Sequence, residues 1–296
     1  MCFYDILHYN LILYVYYNGD KMIELLKFLL LAVVQGISEV LPISSSGHLQ
    51  IVEWLLGMDT SNLTLSIFLH LGSLIALIVF YSKLILDILI RSSNYIFKKE
   101  QRNKENKNAL KIIFLIIIAT IPAGIIGLLF KSKIETIFSD VLFVGISLIV
   151  TGILLFISKY LKGTKSLENM SYLDALVIGL FQALGVLPGI SRSGITSIGG
   201  KVRKINDEDA VNFAFLLFIP ITLGTGLLEI IDVFNGKITL LESELILYVI
   251  GIIVSGVVTY IALSFLLKLI KKGKLYYFSF YCIIIGILVI VLKLIK

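Results

Sequence analysis

Charge is scarce in this chain, and so are the residues that build stapled or metal-bound small folds. Only 16% of its 296 residues are charged, against about a quarter in an ordinary soluble domain. The two cysteines, Cys2 and Cys282, lie at opposite ends. They form no CxxC pair and no zinc-ligand spacing, which excludes a disulfide framework and a zinc module. Residues Met1 to Lys21 lack the basic start and small-residue cleavage site of a secretory signal; the cleaner helical pattern begins at Met22, so residues 1–21 read as an N-terminal extension. What abounds is apolar surface, with 58% of residues hydrophobic. One soluble core of this size could not hide it, so a bilayer has to take up the remainder. The net charge of +6 is spread over short basic clusters between apolar runs. That is the pattern of cytoplasmic loops rather than of a nucleic-acid surface, and no nucleic-acid partner is expected.

A spanning helix needs roughly 20 apolar residues. Six segments qualify: Ser66–Ile90, Ala109–Phe130, Val141–Tyr160, Ala210–Asp232, Glu244–Leu269 and Tyr276–Leu294. Two others, Met22–Gly57 and Tyr172–Gly200, are interrupted mid-way by Pro, Gly and clustered Ser. Proline removes a backbone donor and glycine loosens a helix. Broken backbone at membrane depth is tolerated only inside protein or beside a watery cavity, so both segments read as helix–loop–helix hairpins that enter and leave on the same side.

The breaks resemble each other. Gln35 matches Gln182, Ser44 matches Ser191, Ser46 matches Ser193 and Gly47 matches Gly194, each pair 147 apart (191 − 44 = 147). The expected fold is therefore an all-α integral membrane protein with six transmembrane helices plus two re-entrant hairpins, in two inverted-topology repeats: 22–160 and 172–296. Arg91, Lys98, Lys99, Arg102, Lys104 and Lys107 place their loop in the cytoplasm, which brings the first hairpin in from outside and the second from inside. Such repeats hold their functional site near the midplane, where the broken helices meet.

Ionisable residues inside membrane segments are costly and are functional candidates by default. Glu39 and His48 flank Ser44, Ser45 and Ser46; Arg192 lies between Ser191 and Ser193, with Thr196 one turn on. Arg192 can grip phosphate oxygens bidentately, and Gly and Ser at a loop opening a helix turn N–H groups toward an anion. A hydroxyl adds a donor, or attacks phosphorus if a base sits beside it. His48 can move a proton near neutral pH. Glu39 can hold a divalent ion or act as a base, with Gln35 four residues earlier on the same helix face. The bland alternatives are serines that only satisfy backbone and an Arg192 that only balances Glu39; those two are expected to pair when no substrate is present. His70, on an apolar helix without a motif, reads as structural. Gly145, Gly152, Gly251 and Gly256 read as points of close helix packing.

These motifs also carry a resemblance. Gln35-Gly-Ile-Ser-Glu39-Val-Leu-Pro-Ile-Ser-Ser-Ser-Gly-His48 resembles the (E/Q)xxxE…PxSSxGH stretch of bacterial undecaprenyl-diphosphate phosphatases, the family linked with bacitracin resistance. Pro188-Gly-Ile-Ser-Arg-Ser-Gly-Ile-Thr196 resembles its PGxSRSGxT stretch, and the likeness covers about residues 22–296. The resemblance implies hydrolysis of undecaprenyl diphosphate to undecaprenyl phosphate and inorganic phosphate, recycling the lipid carrier of cell-wall synthesis. It implies a multi-pass protein of the bacterial inner (plasma) membrane whose site opens outward, with a polyprenyl diphosphate and membrane lipids as its partners. It implies a divalent cation, Mg²⁺ or Ca²⁺. It assigns catalytic roles to Glu39, Ser45, His48 and Arg192 and metal binding to Glu39, leaving Gln35, Ser44, Ser46, Ser191, Ser193 and Thr196 for the substrate. The family often has glutamate where this chain has Gln35, which argues against two carboxylates on one metal and for weak metal affinity. The sequence is compatible with a homodimer. A rival reading is a transporter or flippase for a polyprenyl phosphate lipid, in which Arg192 would hold the headgroup without cleaving it; pure binding would leave the pairing of Glu39 and His48 with the serines unexplained.

Overall fold

The computed structural model describes residues 3–58, 63–137, 139–235, 245–271 and 274–295. Its α-helices are α1 (Phe3–Val40), α2 (Ser45–Leu55), α3 (Leu63–Phe80), α4 (Ser82–Phe97), α5 (Lys104–Ile137), α6 (Val141–Ser158), α7 (Tyr172–Leu184), α8 (Arg192–Val202), α9 (Asp207–Phe234), α10 (Leu245–Lys271) and α11 (Tyr277–Ile295). There is no β-strand among the described residues. Within α5, α6, α9, α10 and α11 lie stretches long and apolar enough to cross a bilayer. Their outer faces are lipid-like: Phe114, Ile117, Ile121, Ile125 and Leu128 make an exposed stripe along α5 at helical spacing. The chain is a multi-pass membrane protein.

The first expected span is not one straight helix. Within Ser66–Ile90 the chain turns by 67° between α3 and α4, at Tyr81. The cause is legible in α4, where Lys83, Asp87 and Arg91 recur every fourth residue. A straight continuation would carry that polar stripe through hydrocarbon; the bend avoids it. At the other end of the chain, α1 runs unbroken across Met22.

The two broken segments are α1–α2 and α7–α8. The shift of 147 reproduces helix bounds as well as residues: Ser45 maps to Arg192 and Leu55 to Val202, the limits of α2 and α8 (192 − 45 = 202 − 55 = 147). Each broken segment packs on a long helix of the other half, α1 on α10 and α7 on α5. Small residues permit this. A Cβ on Gly36 would lie 2.7 Å from the Ser255 carbonyl oxygen, and one on Gly179 would lie 2.6 Å from that of Ala119. The four glycines read as packing points all serve that purpose. Gly145 and Gly152 press on α11, at Gly286 and Ser279, and Gly251 and Gly256 press on α3, at Leu69 and Gly72.

The second broken segment is tied at its base by Asp174, which is fully buried. Its Oδ2 accepts from Lys165 Nζ at 2.8 Å and from the Ser171 amide at 2.8 Å, and its Oδ1 accepts from Arg203 Nε at 2.7 Å. Ser171 caps α7 in return. Thus one carboxylate joins the entry of α7 to the exit of α8. Burial pushes the Asp174 carboxyl up, but the hydrogen bonds from Lys165, Ser171 and Arg203 outweigh that and hold it below the usual carboxylate range. A lowered folded-state value gives stability that is present above the unfolded value of about 3.9 and is lost as pH falls below it. Asp174→Ala strands two partly buried cations and should lower stability by about 3–5 kcal/mol. Thermal unfolding in detergent at pH 7 checks this, and the difference from the unaltered protein should shrink toward pH 3.

Candidate active site

The two tips meet. A Cβ on Gly47 would lie 3.0 Å from Gly189 Cα, and one on Gly194 would lie 3.1 Å from Pro42 Cβ. These contacts are reciprocal, since Gly47 corresponds to Gly194 and Pro42 to Gly189 under the same shift (194 − 47 = 189 − 42 = 147). The local hydrogen bonds repeat too. Gly47 N donates to Ser44 Oγ at 3.4 Å, and Gly194 N donates to Ser191 Oγ at 3.1 Å. Ser44 and Ser46 hydroxyls are 3.5 Å apart, and those of Ser191 and Ser193 are 3.4 Å apart. Ser44 and Ser191 are thus N-caps of α2 and α8, and both helix N-termini, with their uncompensated N–H groups, open at the junction.

Each tip is fastened by a helix of the other half. Thr151 on α6 donates to the Gly189 carbonyl at 3.0 Å and accepts from Ser191 N at 3.2 Å. Gly189 needs its lack of a side chain here, for φ is +86° and a Cβ would strike Ser147. On the first tip, Cys282 on α11 directs its thiol at the Pro42 carbonyl, 3.8 Å away. Pro42 and Gly189 are counterparts, so equivalent carbonyls are satisfied by equivalent helices.

The charged centre lies where α1 ends and α8 begins. Glu39 is buried, and its Oε1 is 3.2 Å from an Arg192 guanidinium nitrogen. The expected resting pair is therefore present. Glu39 Oε2 accepts from Gln35 Nε2 at 2.6 Å and lies 3.4 Å from His70 Nε2; the Ser45 hydroxyl is a near neighbour of this carboxylate. Arg192 lies under the Phe218 ring, 4.7 Å from its centroid, which holds the guanidinium in one plane. The structure so gathers Gln35, Ser45, His70 and Arg192 around the Glu39 carboxylate, with Ser44, Ser46, Ser191 and Ser193 on the two tips. Thr196 is buried one turn into α8, and its hydroxyl has no hydrogen-bond partner among the described residues.

Two placements differ from the sequence reading. His70, read from the sequence as structural or peripheral, is beside Glu39. Its Nδ1 donates to the Ser66 carbonyl at 2.7 Å, leaving Nε2 for the carboxylate. The signal was an ionisable residue on an apolar helix. His48, expected at the acid–serine cluster, instead has its Nε2 2.9 Å from the Tyr281 hydroxyl and its Nδ1 2.8 Å from the Ser44 carbonyl oxygen. Tyr281, Phe218 and Thr151 carry no local motif and become visible only in the fold.

As a cation site the cluster is partial. Among the described residues, no three His, Cys, Asp or Glu converge. The oxygens at hand are Glu39 and the Gln35 side-chain oxygen, which is buried without a partner. Both are hard donors of the kind Mg²⁺ and Ca²⁺ take, so they fit an ion whose remaining ligands come from elsewhere.

Comparison with known proteins decides the family. Residues 28–288 match the family described as bacitracin resistance protein BacA. The chain belongs to that family. Among its relatives are undecaprenyl-diphosphatase 1 of Bacillus cereus, 39% identical over 92% of this chain and 99% of the relative. The undecaprenyl-diphosphatase of Halothermothrix orenii is 38% identical over 91% of this chain and 98% of its own length. That of Oceanobacillus iheyensis is 36% identical over 89% and 95%.

The fastening of the second tip gives a direct test. Thr151→Val keeps the shape but leaves a buried carbonyl and a buried N–H without partners, at about 1–3 kcal/mol each. Thermal unfolding in detergent should show that loss for Thr151→Val and little change for Thr151→Ser.

Proposed function

We propose that this chain hydrolyses undecaprenyl diphosphate to undecaprenyl phosphate and inorganic phosphate at the junction of the two tips. One observation carries the reading: a buried carboxylate paired with an arginine lies where two serine-capped helix N-termini meet, with the Ser45 hydroxyl beside it. Binding alone would need the arginine and the N–H groups. Ser45 adds what phosphoryl transfer needs and binding does not, a hydroxyl that can attack phosphorus.

In this reading the diphosphate lies between the tips and the polyprenyl tail extends into lipid. Arg192 leaves Glu39 and turns to the phosphates. The α8 N–H groups, Ser191, Ser193 and Thr196 supply further donors, and Ser44 and Ser46 do so from the first tip. These groups stabilise charge that grows during transfer. Ser45 attacks the terminal phosphorus, and His48 carries a proton to or from the reacting oxygens. Glu39 and Gln35 would hold a divalent cation, Mg²⁺ or Ca²⁺, shared with the diphosphate; when bound it supplies positive charge to the phosphate oxygens.

The architecture that goes with this function is two inverted repeats, each a re-entrant hairpin and three spanning segments, the bent α3–α4 pair counting as one. The active site faces the outer side of the bacterial plasma membrane. The matched bounds of α2 and α8 and the exchanged packing of α1 and α7 support it.

Purified protein in detergent should release inorganic phosphate from undecaprenyl diphosphate, and chelator should suppress the release. Binding of the lipid with no phosphate release would instead identify a transporter or flippase. Arg192→Ala should reduce turnover by a factor of a hundred or more, since a lost transition-state donor is worth roughly 3–4 kcal/mol. A phosphoserine trapped by rapid quench should be absent from Ser45→Ala, and a Ser45→Ala protein with near-normal turnover would remove that residue as nucleophile.

A further inference from the structure

His48 is buried, and both its ring nitrogens are engaged. A carbonyl oxygen can only accept, so the Ser44 carbonyl at 2.8 Å fixes a hydrogen on Nδ1. That leaves Nε2, in the neutral ring, with a single in-plane lone pair. The Tyr281 hydroxyl is 2.9 Å from Nε2 and donates to it. Thus no proton reaches His48 along that lone pair without meeting the hydroxyl first.

Tyr281 is well anchored. Its ring lies nearly parallel to the imidazole, side by side with it, with centroids 5.6 Å apart and planes within 11°. The next residue, Cys282, is fully buried under the Pro42 carbonyl. The close α6–α11 contact, with a hypothetical Cβ on Gly286 only 2.6 Å from the Gly145 carbonyl oxygen, sets the height of α11. A residue 233 positions along the chain is so brought onto the reactive nitrogen of the first tip. A phenol also suits both protonation states of its neighbour. It donates to neutral imidazole and, after rotating, accepts from imidazolium; phenylalanine could do neither.

We propose that Tyr281 is a further catalytic residue, the relay through which His48 exchanges its proton with the reacting oxygens. The attacking hydroxyl or water gives its proton to Tyr281 Oη while the proton on Oη passes to His48 Nε2. The phenol is neutral before and after, and the net change is one proton moved from attacker to imidazole. The reverse transfer returns that proton to a phosphate oxygen. This inference rests on the hydrolytic reading above. If the unaltered protein releases no phosphate, that reading fails; if it does, the variants below test the relay alone.

The experiment is phosphate release from undecaprenyl diphosphate by four proteins in detergent: unaltered, Tyr281→Phe, His48→Ala and the double variant. Tyr281→Phe keeps the ring, so its thermal unfolding should stay near that of the unaltered protein. Its kcat should fall by about a hundredfold, the usual scale of a proton-transfer group, with KM within about threefold. The double variant should be no slower than His48→Ala, because the second loss has already been taken. A Tyr281→Phe protein that keeps more than about a tenth of kcat, or single losses that multiply in the double variant, overturns the relay. Should Tyr281→Phe unfold, Tyr281→His, which keeps an amphoteric N–H group, is compared with Tyr281→Leu. Retained turnover in the first alone supports the relay, and equal turnover overturns it.

Discussion

A backbone that stops being helical inside a bilayer has to find hydrogen-bond partners in the protein, because lipid offers none. This chain interrupts two apolar segments, α1–α2 and α7–α8, and the partners of each break come from the other half of the chain. Thr151 answers Gly189, and Cys282 answers Pro42. The tips can be satisfied only when both halves are docked, so the place where they touch is both the weakest point of the backbone and the best organised. The glycines that let α6 approach α11 and α1 approach α10 belong to the same constraint. Bulk at any of them would push a tip away from its fastening.

The charged centre follows from this docking. Glu39 comes from the end of one broken helix and Arg192 from the start of another, 153 residues later. A carboxylate at this depth would be costly alone. Here Arg192 and Gln35 donate to it, and His70 stands beside it. The ion pair thus places Arg192 beside two helix N-termini that favour negative charge. Under the proposed function an entering diphosphate replaces that carboxylate as the ligand of the same groups.

Much of this was legible in the sequence. The serine-rich interruptions, their spacing of 147 and the acid–arginine pairing all survive in three dimensions. They were legible because a polar residue in an apolar run has few explanations. What was not legible depends on geometry between distant segments. Tyr281 is one of several tyrosines near the end of the chain, and only the seating of α11 on α6 brings its hydroxyl to His48. Phe218 looks like core until Arg192 is found beneath it. The bend at Tyr81 was hidden by overall apolarity, although the four-residue rhythm of Lys83, Asp87 and Arg91 signalled it.

The counterpart relation between the tips is one of helix bounds and contacts, not of chemistry or of every backbone angle, for φ is +72° at Ser44 and −69° at Ser191. Ser45 occupies in the first tip the position that Arg192 occupies in the second, Val186 stands opposite Glu39, and Ile195 opposite His48. Two identical tips would bring together either a pair of hydroxyls with no cation or a pair of guanidinium groups repelling each other. The helix bounds and tip contacts correspond while the side chains differ, so that under the proposed function the first tip would supply the reacting groups and the second the grip on phosphate.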